Sequence, residues 1–93
     1  EFIPWRTSTE RTLVQLWRGV LEIDRPIGLY DNFFALGGHS LQAVMLVGRI
    51  REMFRIELSL RDFFATRDLA ALATMIDAAA AAGGRTPEAL AAL

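Results

Sequence analysis

One serine of this 93-residue chain is placed where its hydroxyl could do chemistry. Ser40 follows Gly37, Gly38 and His39 and precedes an apolar stretch with helical spacing. Two glycines permit a sharp turn, because glycine takes backbone angles that other residues avoid. Ser40 is therefore predicted to open a helix, with its hydroxyl at the surface and several unpaired backbone N–H groups nearby. The simplest role for a serine at that position is to cap the helix. Any further role has to be inferred from the neighbouring residues.

A hydrolytic role for Ser40 fails on spacing. A nucleophile elbow requires Gly-x-Ser-x-Gly, but Gln42 occupies the position of the last glycine. His39 is the only histidine and adjoins Ser40, which is a poor arrangement for an in-line hydrogen bond. The chain is also too short for a hydrolase sheet. We therefore reject a hydrolase and expect no catalytic residues.

Composition excludes several other classes of function. The chain has no cysteine, hence no disulfide framework or thiolate metal site, and its single histidine cannot build a metal site alone. The net charge of −1 gives no electrostatic case for binding nucleic acid or an anionic membrane. The longest apolar run is far short of a membrane span, and no signal-peptide pattern opens the sequence. We expect a small, soluble, monomeric domain in the cytoplasm.

The spacing of apolar residues predicts an all-α fold, a small bundle of three main helices plus one short helix. The first helix is predicted over about residues 8–23, after a capping box formed by Thr7 and Glu10. The second is predicted over about residues 40–54. The connection between them, residues 24–39, is long for so small a domain, and such loops usually pack specifically or carry function.

The later elements are shorter and less distinct. Ser59 and Asp62 fit a capping box for a short third helix. Thr66 is the candidate cap of the last helix, which ends before Gly83 and Gly84. The predicted core of the outer two helices comprises Leu13, Leu16, Trp17, Val20, Leu21, Leu69, Leu72, Ala73 and Ile76.

The second helix carries apolar residues on two faces. At 100° per residue, one sector forms a predicted core face. It contains Ala43, Leu46, Val47, Ile50, Met53 and Phe54. A second stripe on roughly the opposite side ends at Ser40, and a small bundle seldom buries both faces, so we predict an exposed surface for partners. This stripe contains Leu41, Val44, Met45 and Gly48. Phe63 and Phe64 are expected to border it, with at least one of them in the core.

Aromatic residues are expected to fix the long loop. Phe33, Phe34 and Leu36 are predicted to be buried against the core, and Asp31 and Asn32 to form local turns. For domain boundaries, residues 1–6 are predicted to be a linker, residues 7–80 the folded domain and residues 81–93 a second linker or tail.

The sequence of residues 31–41, Asp-Asn-Phe-Phe-Ala-Leu-Gly-Gly-His-Ser-Leu, closely resembles a family motif. It is the core motif of the peptidyl carrier (thiolation) domains of nonribosomal peptide synthetases. The resemblance covers about residues 5–79 and implies an acyl-carrier-protein-like fold. It also implies that Ser40 carries a covalent 4′-phosphopantetheine arm, with Gly38, His39 and Leu41 as the flanking motif.

The resemblance further implies a non-catalytic carrier in antibiotic-type peptide biosynthesis. A phosphopantetheinyl transferase, using coenzyme A and Mg²⁺, would modify Ser40. An adenylation domain would then load an aminoacyl group as a thioester, and condensation and thioesterase or tailoring domains would receive it. The residues expected to dock these partners are Leu41, Val44, Met45, Gly48 and Phe63.

Two relatives of this family remain as alternatives. Acyl carrier proteins of polyketide or fatty acid synthesis typically have Asp-Ser-Leu and lack the Asn-Phe-Phe context, which disfavours them. An aryl carrier of the siderophore type is harder to exclude. His39 favours a domain that precedes a condensation or thioesterase partner, because aspartate is more typical there before epimerisation domains.

Overall fold

The computed structural model describes residues 2–85, which fold into a bundle of four helices. They are α1 (Ser8–Leu21), α2 (Ser40–Phe54), α3 (Leu60–Ala65) and α4 (Leu69–Ala81). No strand occurs among the residues described, so the predicted all-α class with one short helix and a long loop after the first is confirmed. Over the same residues, no helix has the length and apolar character needed to cross a membrane.

The core lies between α1, α2 and α4, with α3 packed against α2. Trp17 is almost fully buried at its centre, as predicted. The amphipathic pattern of each long helix explains the arrangement, because each buries its apolar stripe against the others. The most deeply buried large side chains are Leu13, Trp17, Ile27, Leu29, Leu46, Ile50, Leu69, Leu72 and Ile76.

The helix caps confirm two predictions and correct a third. The capping boxes of Thr7 with Glu10 and of Ser59 with Asp62 are both present. Thr66, however, is the C-cap of α3, and its hydroxyl donates to the carbonyl of Phe63 at 2.7 Å. The last helix is capped instead by Asp68, whose carboxylate accepts from the N–H of Ala71 at 2.8 Å. Asp68 caps α4 because the hydroxyl of Thr66, two residues earlier, already forms a hydrogen bond within α3.

The predicted core face of α2 is correct except at its end. Ala43, Leu46, Val47 and Ile50 are buried, and Phe54 is half-buried. Met53 is 59% exposed, so its assignment to the core is wrong. Met53 lies at the edge of the apolar sector, in the last turn of α2, where the nearby Leu16 of α1 is itself only half-buried.

Both ends of the described chain pack onto the bundle beyond the predicted limits of residues 7–80. The N–H of Leu29 donates to the carbonyl of Ile3 at 2.8 Å, and Ile3 packs against the core. At the other end, the N–H of Glu57 donates to the carbonyl of Gly84 at 2.6 Å. The segments expected to be linkers thus contribute backbone pairing at Ile3 and Gly84. Most of the predicted tail, residues 86–93, lies outside the described residues.

Glu10 provides a test of how the start of α1 is stabilised. Its side chain is buried, and its carboxylate accepts from Arg6 Nη2 at 2.9 Å, from the Arg6 N–H at 2.6 Å and from the Thr7 N–H at 3.1 Å. The side-chain hydrogen bond from Arg6 lowers the pKa of Glu10 below its ordinary value, although burial opposes this shift. The ionised form therefore stabilises the fold above the unfolded-state pKa, and this stabilisation is lost as the pH falls through the lower folded-state pKa.

We predict that Glu10→Gln lowers the free energy of unfolding at pH 7, and that the deficit shrinks as the pH falls through the acidic range. Urea unfolding at a series of pH values measures this. Glu57→Gln, at an exposed position, serves as the control and should show little deficit at any pH. A Glu10→Gln deficit that stays constant down to the lowest pH would contradict the assigned role of the carboxylate.

Candidate functional site

The backbone turn before Ser40 is packed directly on an aromatic ring. The N–H of Gly38 donates to the carbonyl of Phe33 at 3.1 Å. A Cβ added at Gly38 would lie 2.5 Å from the Phe33 ring and 2.8 Å from its carbonyl oxygen, so a larger residue requires a shift. Gly37 is constrained differently, since its φ of +103° is a conformation that side chains disfavour. Gly38 and Gly37 are thus each required for a different reason: Gly38 for the space it leaves to Phe33, and Gly37 for its backbone conformation.

Phe33 is the centre of an aromatic cluster. Its ring makes edge contacts with Trp17 at 5.4 Å, Phe34 at 5.5 Å and Phe63 at 5.5 Å between centroids. Such T-shaped pairs stabilise beyond simple burial. The predicted burial of Phe33 is confirmed, but Phe34 is exposed and stacks at the surface on Phe64 with centroids 5.7 Å apart. The expectation that both phenylalanines belong to the core is wrong for Phe34, because Phe33 alone occupies the space beneath the turn.

Asp31 and Asn32 shape the loop, as predicted. The carboxylate of Asp31 accepts from the N–H of Gly28 at 2.8 Å. The side-chain oxygen of Asn32 accepts from the N–H groups of Phe34 and Ala35 at 2.9 and 3.0 Å. Its amide nitrogen also donates to the carbonyl of Arg67 at 2.6 Å, a contact that the sequence did not predict. Asn32 therefore ties the loop to the junction between α3 and α4.

Ser40 is the first residue of α2, but the N-cap is His39. Gln42 secures this end of the helix: its side-chain oxygen accepts from the His39 N–H at 3.0 Å, and its amide nitrogen donates to the carbonyl of Val20 at 3.2 Å. Sequence reasoning missed Gln42, although a glutamine three residues after a helix cap is a recognised signal. The Ser40 hydroxyl is exposed and has no hydrogen-bond partner among residues 2–85. The hydroxyl therefore does not cap α2, the simplest role considered for it, and it is available for another use.

The residues around Ser40 suit a covalently attached phosphodiester. In the part of the chain described, the N–H groups of Ser40 and Leu41 have no acceptor, and the first turn of α2 has no acidic residue. Unpaired N–H groups and the helix dipole both favour negative charge at a helix N-terminus. The residues at this site therefore fit a phosphopantetheine group on the Ser40 oxygen, because they would favour the negative charge of its phosphate.

The second stripe of α2 is exposed, as predicted. Leu41, Val44 and Met45 are among the exposed large apolar side chains, and Gly48 is exposed as well. We call these four residues the apolar stripe; it runs along α2 from the turn next to Ser40. An exposed contiguous apolar surface of this kind usually marks a site of interaction.

Phe63 does not belong to this exposed surface. Its side chain is only 3% exposed because it packs against Phe33, so its prediction as a docking residue is wrong. The neighbouring Phe64 is 53% exposed. The expectation that at least one of the two lies in the core is confirmed.

Comparison with known protein families identifies a match over most of the chain. The family described as "Phosphopantetheine attachment site" matches residues 11–76, a range that includes Ser40 and the apolar stripe. Among curated proteins, the chain is 48% identical over 71 residues to one of the plipastatin synthase subunits of Bacillus subtilis (strain 168). This alignment covers 76% of the chain and 3% of the plipastatin protein, so the chain spans only a small part of the relatives that it matches.

Solved structures with a similar fold belong to the same family. One similar structure is described as the phosphopantetheine transferase Sfp in complex with coenzyme A and a peptidyl carrier protein. The match has a TM-score of 0.78 and 31% identity, and it covers 83% of this chain and 99% of that chain. A solution structure of a peptidyl carrier domain of modular peptide synthetases matches with a TM-score of 0.69 and 35% identity, covering 77% of this chain and 93% of that one.

Proposed function

The chain belongs to the phosphopantetheine attachment-site family, as a peptidyl carrier domain of the nonribosomal peptide synthetase type, and from this membership we propose that Ser40 Oγ is the attachment atom. The observation that carries the proposal is the state of this hydroxyl, which is exposed and has no hydrogen-bond partner within residues 2–85. When attached, 4′-phosphopantetheine supplies a flexible arm whose thiol holds an acyl group as a thioester.

The flanking residues have distinct positioning roles in this proposal. The N–H of Gly38 holds the turn on Phe33, and His39 is the N-cap of α2, with its N–H donating to the side-chain oxygen of Gln42. The unpaired N–H groups of Ser40 and Leu41 at this helix N-terminus would favour the negative charge of a phosphate on Ser40 Oγ. The domain contributes the attachment point and its electrostatic surroundings.

The proposed function is to carry aminoacyl and peptidyl intermediates between the enzymes of nonribosomal peptide biosynthesis. A phosphopantetheinyl transferase modifies Ser40, an adenylation domain loads the carrier, and condensation and thioesterase or tailoring domains receive the intermediate. The carrier itself makes no bonds and is not an enzyme. The proposed location is the cytoplasm, where coenzyme A is available for the modification.

The apolar stripe is the proposed docking surface for these partners. Leu41, Val44, Met45 and Gly48 lie next to Ser40 on one side of α2, so a partner bound there holds the attachment point close to its own active site. Met45 suits several partners, because methionine is flexible and adapts to surfaces of different shape. We propose Phe64 in place of Phe63 as the aromatic residue at its border, since Phe64 is the exposed one.

The attachment is tested by intact-mass spectrometry after incubation with coenzyme A, Mg²⁺ and a broad-specificity phosphopantetheinyl transferase. We expect a single phosphopantetheine adduct, which peptide mapping places on Ser40. Ser40→Ala should give no adduct. The substitution should cost less than the roughly 0.5–2 kcal/mol typical of removing a helix cap, because His39 occupies the cap position. An adduct on folded Ser40→Ala, or none on the folded wild type, would contradict the assignment.

Docking at the apolar stripe is tested with Val44→Glu on protein that already carries the arm. Val44 is 49% exposed, so folding should persist, whereas transfer to a condensation domain should slow by about tenfold through loss of an apolar contact and burial of a charge. The measurement is the rate of peptide-bond formation at subsaturating carrier. Gln15→Glu, which adds the same charge to an exposed position of α1, is the control and should keep the wild-type rate. Equal rates for all three proteins would mean that the stripe does not dock this partner.

A further inference from the structure

A second surface, at the C-terminal end of α2, carries an apolar floor and arginines, and it begins next to the Gly48 end of the apolar stripe. A shallow groove, widely open to solvent, lies between α1 and the last turns of α2. Its floor includes Leu16 and the exposed Met53. Arg49, Arg55 and Glu52 complete the lining. We call this surface the Met53 groove.

The arginines around the groove are not neutralised by the rest of the bundle. Within residues 2–85, neither Arg49 nor Arg55 forms an ion pair, nor does the nearby Arg51. By contrast, Arg6 pairs with Glu10 and Arg18 pairs with Asp24. Glu52 is the one acidic side chain lining the groove, so the local charge is positive although the whole chain carries −1.

We propose that the Met53 groove binds an acidic polypeptide segment of a partner protein, with one apolar side chain seated between Leu16 and Met53. Carboxylates on either side of that anchor pair with Arg49 and Arg55. The combination of an apolar floor with cations at the rim matches the usual anatomy of a protein interface, where an apolar anchor is surrounded by polar contacts. Charge complementarity at the rim selects an acidic partner over neutral or basic ones.

The Met53 groove lies far from Ser40 along α2, and this distance matters for the proposed binding. Ser40 and Met53 are separated by thirteen positions of one helix, or about 20 Å at 1.5 Å per residue. A segment bound at the Met53 groove therefore leaves the Ser40 end of α2 free, while Arg49 and Glu52 of the groove lie one turn beyond Met45 and Gly48 of the apolar stripe. This arrangement lets one partner stay bound while others exchange at Ser40. The proposal does not depend on the chemistry assigned to Ser40.

The groove is tested on the full, unmodified chain by ¹⁵N–¹H NMR titration with a synthetic helical peptide that has one leucine flanked by glutamates. We expect shifts concentrated at Leu16, Arg49, Met53 and Arg55. A matched peptide with glutamine in place of glutamate should bind about fivefold more weakly, and added salt should reduce the difference. A lysine version should bind more weakly still, because it meets the arginines as like charges.

Variants of exposed residues measure separately how much the apolar contact at Met53 and the charges of the arginines contribute to peptide binding. Met53→Ala should weaken binding of the acidic peptide by about fivefold or more, as expected for removal of an anchor. The double variant Arg49→Gln with Arg55→Gln should abolish the preference for glutamate over glutamine. Glu52→Gln should strengthen binding, since it removes a charge of the same sign as the peptide. Tyr30→Ala, an exposed apolar side chain outside the groove, is the control and should change nothing.

Several results would overturn the proposal. These are equal binding of the acidic and neutral peptides, an unchanged affinity for Met53→Ala, and shifts that map to Val44 and Met45 instead of the groove. Tighter binding of an oligonucleotide or of anionic phospholipid vesicles than of the acidic peptide at the same residues would show that the occupant is not a polypeptide. Because no arm is attached in these titrations, their failure would leave the proposed modification of Ser40 unaffected.

Discussion

The contact between the Phe33 ring and the backbone of Gly38 is the constraint on which the rest of the site depends. The ring is buried against Trp17 and Phe63, so its position is fixed by the core. The turn can lie on the ring only because Gly38 has no side chain, as a Cβ there would come within 2.5 Å of ring carbons. The direction in which α2 starts, and hence the place of Ser40, follows from this packing.

The same helix serves the core on one face and the surface on the other. Ala43, Leu46 and Ile50 are buried, whereas the apolar stripe is left in contact with solvent. Exposing apolar side chains forgoes the free energy of burying them, about 25 cal/mol per Å². The proposed function gives a physical reason for such exposure, because a carrier that binds several partners and releases each of them needs modest contacts. The Met53 groove would add a third surface to this helix, with charge as its main source of selectivity.

Local patterns predicted much of this fold, and tertiary contacts decided the remainder. The capping boxes at Thr7 and Ser59 are encoded within four residues, and the two faces of α2 follow from helical periodicity, so both could be predicted. Which of Phe63 and Phe64 is buried depends on where Phe33 lies. Thr66 and Asp68 are both acceptable caps in sequence, and only the end of α3 distinguishes them. The exposure of Met53 could not be predicted without knowing where α1 stops covering α2.

The site itself was predicted in two different ways. The exposure of Ser40 at the start of α2 follows from the Gly-Gly turn and the apolar stretch after it, but its role as an attachment point came from the family resemblance. The sequence did not reveal that His39 takes the cap, which leaves the Ser40 hydroxyl unbonded among the residues described. The contact of Gln42 with His39 follows a local pattern that sequence reasoning missed. The contacts of Gln42 with Val20 and of Asn32 with Arg67 join residues too distant in sequence for a local pattern to indicate.

The sharpest test of the Phe33–Gly38 constraint is the rate at which a phosphopantetheinyl transferase modifies Gly38→Ala, measured by intact mass at a temperature where the variant remains folded. We expect a rate clearly below that of the wild type, because the added methyl displaces either the turn or the Phe33 ring and so moves Ser40. Gly19→Ala, which adds a methyl on α1 that meets only the flexible end of Arg49 at 3.7 Å, should react at the wild-type rate. A fully folded Gly38→Ala modified as fast as the wild type would show that the Phe33–Gly38 contact does not position the serine.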